Sequence, residues 1–343
     1  MSTRQFVAGL ATLALMAVFG LAVYTVLGTL QTKTTTAVDP TQEQAMLTLP
    51  GTLFLAENGS LYSLHGLQFT RLATPPGDWY QVAPGPNGNL LAVAKNNGFS
   101  NLYLLSPTGH LLRTLLQESS TYYFNNHFVF YPRLSANGHS VFYSYNWIDP
   151  AANYNVDFEV QSVPLSNPGA YPTQWSTPNN YTGGDVSPTP TSNGGLIYTK
   201  YNVNSAYNSG YPYSQLVYVS SPQATPDYLT TPAQNCSEPA LNPAGNEMAM
   251  ICVNNRLQSD TLEVASWNGT SLGPPRILSQ GPMAAAPTWS PTGKSLVFMN
   301  VTSRGLPFQL FWIPGAAGKK PGAAQQVTQN LSLNALSAPV WYS

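Results

Sequence analysis

Charge is what this sequence most conspicuously lacks. Asp, Glu, Lys and Arg together make up 8% of its 343 residues, against roughly a quarter in ordinary soluble domains. Thirteen basic and fourteen acidic residues leave a formal net charge of −1. No field of one sign exists to attract a polyanion, so nucleic acid is not an expected partner. Fourteen carboxylates and four histidines are also thin material for acid–base or metal chemistry. The histidines, His65, His110, His127 and His139, show no His-x-His or His-x-x-x-His spacing. Only two cysteines are present, Cys236 and Cys252, and neither has a histidine or further cysteine beside it to complete a metal site. Gly-x-Ser-x-Gly, P-loop and zinc-protease motifs are all missing. No catalytic residue, metal ligand or cofactor is expected.

The shortage of charge does not signal disorder, because disordered chains also lack aromatics. Here aromatic residues make up 12% of the chain and apolar residues 43%, set among 27 Gly and 30 Pro. Aromatic and β-branched residues suit short strands, and Gly, Pro and Asn suit tight turns. The composition reads as all-β.

One long apolar run stands apart. Residues 6–30 (FVAGLATLALMAVFGLAVYTVLGTL) carry no charge, and as a helix they would span roughly 37 Å, enough to cross a bilayer. The run is longer than the core of a cleavable signal, and no small-x-small cleavage site follows closely. A transmembrane or signal-anchor helix is expected, after a short flank at 1–5, with secretion after signal cleavage as the alternative. Arg4 before it and Lys33 after it give only a weak positive-inside bias. Residues 31–50 open Thr/Gln-rich without sustained periodicity, as a tether would. The remaining 51–343 is then a domain held outside the cytoplasm, periplasmic or at the cell surface.

That domain is repetitive. APTWSPTGKSLVFM (286–299) joins two strands through a Pro-x-Gly turn, and the same logic recurs in EPALNPAGNEMAMICV, YPRLSANGHSVFYSY, SPTPTSNGGLIYTKY and, more loosely, YQVAPGPNGNLLAVA. The turn glycines, Gly88, Gly138, Gly194, Gly245 and Gly293, lie 50, 56, 51 and 48 positions apart. Each hairpin is followed by another strand such as NLYLLS or QLFWIPG, and four short strands per repeat make a propeller blade. APVWYS (338–343) matches APTWS at 286–290 without its hairpin partner, while 52–74 supplies three strands without a first. The two together complete a sixth blade.

The Pro-x-Trp-Ser-Pro-x-Gly-Lys pattern resembles the PD40 (WD40-like) repeat of TolB-like propellers, over essentially 51–343. The resemblance implies a six-bladed β-propeller. The Asp that often precedes the turn Gly in that family is Thr292 here, Asn137 and Ala244 in other blades, substitutions that turns tolerate. TolB itself carries an additional N-terminal domain where this chain has its apolar run, so the resemblance implies fold and not cellular role.

Two candidate sites follow. Cys236 and Cys252 each lie eight positions from Ala244 at the centre of one hairpin, opposite one another across two strands and within reach of a disulfide. Two second-to-third strand loops, 146–157 and 200–214, are long and aromatic. Their Trp147, Tyr154, Tyr201, Tyr207, Tyr211 and Tyr213, with Asp149, are set among Asn, Ser and Gly as in a paratope. These seven residues are the expected ligand-binding site, for a protein, peptide or glycan. The bland alternative is that the loops merely cover the ring. A rival function is a carbohydrate-active hydrolase or lyase using Asp149, Asp157, Asp185 or Glu159; a third is a structural surface protein that oligomerises through its faces.

Overall fold

The structure, a computed structural model, describes residues 45–119, 127–146, 157–179, 181–203, 212–254 and 257–343. The expected anchor at 6–30 and most of the 31–50 linker lie outside the described residues. Among the described residues no helix is long and apolar enough to cross a membrane.

Six four-stranded antiparallel sheets make up the fold. Blade 2 holds β4 (Asp78–Pro84), β5 (Leu90–Asn96), β6 (Phe99–Leu105) and β7 (Leu111–Leu116). Blade 3 holds β8 (Val129–Leu134), β9 (Ser140–Asn146), β10 (Phe158–Pro164) and β11 (Thr173–Gln174). Blade 4 runs through β12 (Asp185–Pro190), β13 (Leu196–Val203), β14 (Pro212–Val219) and β15 (Asp227–Tyr228). Blade 5 comprises β16 (Cys236–Leu241), β17 (Glu247–Asn254), β18 (Ser259–Ser266) and β19 (Arg276–Gly281), and blade 6 comprises β20 (Ala284–Trp289), β21 (Leu296–Asn300), β22 (Gln309–Ile313) and β23 (Gln325–Gln326). Blade 1 is composite: β1 (Thr52–Glu57), β2 (Ser60–His65) and β3 (Gln68–Arg71) are joined by β24 (Val340–Tyr342), with Phe54 opposite Val340. This is the closure the incomplete repeats predict.

The apolar residues pack as six clusters, and each cluster straddles one blade-to-blade interface. A blade is therefore covered on both faces, which is why second strands such as Leu90–Ala94 are buried without alternation. Each first strand runs into its turn through a Gly with φ between 66° and 87° at Gly88, Gly138, Gly194, Gly245 and Gly293, a region that carries no penalty only for glycine. The turn entry is fixed by side chains. Asn242 Oδ1 accepts the amides of Asn246 and Glu247, and Ser135 Oγ accepts those of His139 and Ser140.

Cys236 and Cys252 are Cα partners in the β16–β17 ladder and form a disulfide. Both are buried, within the cluster between blades 4 and 5.

Candidate functional site: the axial channel and its rim

Strand polarity gives the ring two distinct faces. The turns between first and second strands emerge on one, the turn face. The second-to-third strand loops and the blade-to-blade connections emerge on the other, the loop face. First strands line the axis between them.

Those first strands share an unusual backbone. Tyr131, Ser187, Glu238 and Ala286 occupy left-handed conformations, with φ of 53°, 54°, 54° and 56°. Each precedes a proline, and each sits in a register shift of its ladder: Phe130/Arg133, Val186/Thr189, Ser237/Ala240 and Ala285/Thr288. A bulge re-aims the side chain at its apex, here toward the axis. Non-glycine residues in this region cost about 1 kcal/mol or more each, so four at one level form a strained collar.

Neighbouring blades are stitched at that level. Gln81 Oε1 accepts the Tyr131 amide at 2.6 Å while its Nε2 donates to the Leu336 carbonyl at 2.7 Å. The Glu238 carboxylate accepts the Ala286 amide. Two positions further along, Thr189 donates to the Pro239 carbonyl and Thr288 to the Pro339 carbonyl. Arg133 holds the corresponding place in blade 3.

The collar encloses a waist of ≈ 50 Å³, whose lining includes Tyr131, Arg133, Tyr201, Glu238 and Leu336. Burial pushes the Glu238 carboxyl up to about 7; the Ala286 amide works against that, nearby Asp260 adds to it and Arg133 opposes it. Burial lowers the Arg133 guanidinium pKa, and Glu238 counters part of this. The Tyr201 phenol is pushed up to about 12, by burial and then by Glu238, so it stays neutral. Among the described residues no ion pair within 4.0 Å involves Arg133 or Glu238. The waist thus presents one hydrogen-bonding acid that titrates near neutrality, one cation and neutral phenols.

Below the waist the channel widens into a funnel of ≈ 510 Å³ that opens on the turn face, with Arg133 lining both spaces. At the other end, the loop face carries a rim of exposed apolar side chains. Tyr181, Val203, Leu257, Met283, Leu306 and Leu336 are all exposed, Leu257 and Tyr181 by 63% and 60%. They come from the end of β13, the loops of blades 5 and 6 and the connections into blades 4, 6 and 1. Arg304 ties two of these loops together through the side chain and carbonyl of Gln258.

The residues expected from sequence fare unequally. Trp147, Asp149, Tyr154, Tyr207 and Tyr211 lie outside the described residues. Tyr201 belongs to β13 and lines the waist rather than standing on a loop. Tyr213 belongs to β14 and is buried. The ladder from Leu196↔Val219 to Val203↔Pro212 takes both residues out of the expected 200–214 loop. Of the rival enzyme's carboxylates, Asp157 accepts the amides of Tyr181, Thr182 and Gly183. Asp185 is fully buried against Lys200, at 3.2 Å, and Glu159 is buried with Gln161 donating to it. These three hold the junction of blades 3 and 4 rather than facing the axis. Among the described residues no cluster of three His, Cys, Asp or Glu could hold a metal.

Sequence reading missed Arg133 and Glu238. Aligning the repeats as columns would have exposed the acid: the residues before the repeated prolines are Tyr131, Ser187, Glu238, Ala286 and Ala338, and only one is charged.

No protein-family profile matches the sequence, and no curated protein matches it. The fold, by contrast, is familiar. TolB from Acinetobacter baumannii superposes with a TM-score of 0.61 at 15% identity, over 85% of this chain and 66% of its own. A puromycin hydrolase matches at 0.51 and 18% identity, over 74% of this chain and 39% of its own. An oligogalacturonate lyase in complex with manganese matches at 0.51 and 12% identity, over 79% and 70%. The chain therefore has the TolB-like six-bladed propeller fold, one also found in a puromycin hydrolase and in an oligogalacturonate lyase.

Proposed function

We propose that this chain is a membrane-anchored propeller, outside the cytoplasm, that binds a partner protein or peptide across its loop face without chemistry of its own. The observation carrying this reading is the apolar rim. Exposed apolar side chains are ordinary when scattered singly, but several brought to one face of the ring by the blade topology mark an interaction surface. Loops positioned by a rigid scaffold are also where binding surfaces usually reside. An apolar rim favours protein or peptide over glycan as the partner. The membrane location rests on residues 6–30, and the oxidising compartment it implies suits a disulfide.

The same rim suits one other reading, self-association of the ring through this face. The decisive experiment places a photo-crosslinking residue at Leu257 or Leu306 in the full chain in its native cells, with the outer-edge Ile277 as control. A discrete adduct with a different protein, formed from the rim positions and not from Ile277, supports the proposal. A self-adduct, matched by concentration-dependent mass in sedimentation, moves the oligomerising reading ahead. No adduct at either rim position removes the loop face as a binding surface.

A further inference from the structure

The funnel on the turn face poses a separate question, because its chemistry is so uneven. Proline rings make up much of its wall, together with the indoles of Trp289 and Trp341. Every polar side chain there except one is already engaged within the protein. Thr189 and Thr288 donate to the carbonyls of Pro239 and Pro339. The indole N–H groups donate to the carbonyls of Ala240 and Pro50, at 2.9 and 2.7 Å. Tyr342 donates to the Asn89 carbonyl, and Asn242 is engaged by its own turn through both Oδ1 and Nδ2. What the funnel shows to solvent is a largely apolar wall.

The exception is Arg133, the one charged side chain of the lining. It sits at the floor, where the funnel meets the waist. Of its five N–H donors, one goes to the neighbouring Pro132 carbonyl at 3.1 Å, and among the described residues no carboxylate pairs with it. A guanidinium fork matches a carboxylate with two parallel hydrogen bonds. Glu238 lines the waist and not the funnel, so it does not stand between Arg133 and an anion entering from the turn face. At ≈ 510 Å³ the space is that of a small-molecule site.

We propose that this funnel binds a small apolar carboxylic acid, its alkyl or aryl body against the proline and indole wall and its carboxylate on Arg133. A peptide terminus fits less well. Its backbone N–H and C=O groups would be desolvated against a wall whose polar side chains, Arg133 apart, are already engaged, whereas a hydrocarbon body needs no partners.

The test uses the full chain in its membrane and a decanoic acid carrying an aliphatic diazirine, with the corresponding alcohol as the matched probe. The expected result is acid-dependent labelling that maps to the segments around Pro287–Pro291 or Pro339–Tyr342, at least about ten-fold above the alcohol, the range of one charge-assisted pair. In Arg133→Gln the acid should fall to the level of the alcohol, with the melting temperature recorded to confirm folding. The acid–alcohol contrast on the unaltered protein stands even if that variant fails to fold. Equal labelling by both probes, labelling elsewhere, or an unaffected folded Arg133→Gln would overturn the proposal. So would an apolar free-acid tripeptide that suppresses labelling better than unlabelled decanoate does.

Discussion

Among the described residues, a carboxylate and a cation are sunk together at the junction of blades 3 and 4 and again at the axis, and the two couples are treated in opposite ways. At the junction of blades 3 and 4, Asp185 and Lys200 are buried cross-strand partners within 3.2 Å, with the ammonium also donating to the Thr177 carbonyl. At the axis, Glu238 and Arg133 line one narrow cavity without an ion pair within 4.0 Å between them, each on a first strand interrupted by a bulge. A sealed pair satisfies itself and fixes the register of strands around it. An unpaired couple facing a water-accessible channel is left with capacity for something else. The difference also explains placement: the blade 3–4 interface has the smallest of the six apolar clusters, and polar contacts make up its remainder.

The comparison predicts how each couple breaks. Lys200→Ala leaves Asp185 buried without a partner and should cost about 3–5 kcal/mol in urea unfolding. A loss below about 1 kcal/mol would show that water reaches this junction and the pair is not sealed. The Glu238 change should run the other way. Its folded pKa, about 7, lies above the ordinary carboxylate value, so the native state binds more protons than the unfolded one between roughly pH 4.5 and 7. Stability is highest below that window and is lost as pH rises through it. Asp185, raised to about 6 chiefly by burial, has the same sign at slightly lower pH. Glu238→Gln keeps an oxygen for the Ala286 amide, so it should stabilise the protein above pH 7 by about 1–3 kcal/mol and do little at pH 4.5. Parallel stability–pH curves for variant and parent would contradict the burial of this acid.

Arg133→Gln should change stability by less than about 1 kcal/mol, because the guanidinium faces the channel and supports no ion pair. A larger loss would make Arg133 a second structural charge and erase the contrast. The smallest effect is expected at Ala286→Gly: relief of the left-handed strain, offset by the extra freedom of glycine in the unfolded chain, should leave the melting temperature within about 2–3 °C of the parent. A drop well beyond that would mean the Ala286 side chain packs in a way the backbone geometry does not require.

The ring itself was legible in sequence because its signals are local. Each Gly after a Pro-rich first strand marks a turn that only certain residues can make, and the spacing of those turns counts the blades. The incomplete repeats at 52–74 and 338–343 even revealed how the ring closes. The cysteine pair was legible for the same reason, since a hairpin centre fixes what lies opposite what. The axial site was not, because it depends on bulges, which shift register by one residue and are invisible to a simple alternation. Tyr201 and Tyr213 lie in strands instead of the expected loop for a related reason. Asn- and Tyr-rich composition reads as loop, but the β13–β14 ladder continues through it because both strands are covered on two sides. The apolar rim escaped notice because Leu257, Met283, Leu306 and Leu336 stand singly in sequence and share a face only once the ring is closed.

The composite blade has a further consequence, for the time course of folding. Five blades can form from strands adjacent along the chain, but β24 meets β1 across nearly the whole sequence; the indole of Trp341 donates to the Pro50 carbonyl over 291 positions. Closing so long a loop costs on the order of 5 kcal/mol of chain entropy, and that contact returns its stabilisation only after the other blades have brought its two halves near. An open crescent should therefore precede the ring, with the facing apolar surfaces of blades 6 and 1 transiently bare. The seam is the natural place for a chaperone to act, and for two nascent copies to exchange strands if none does.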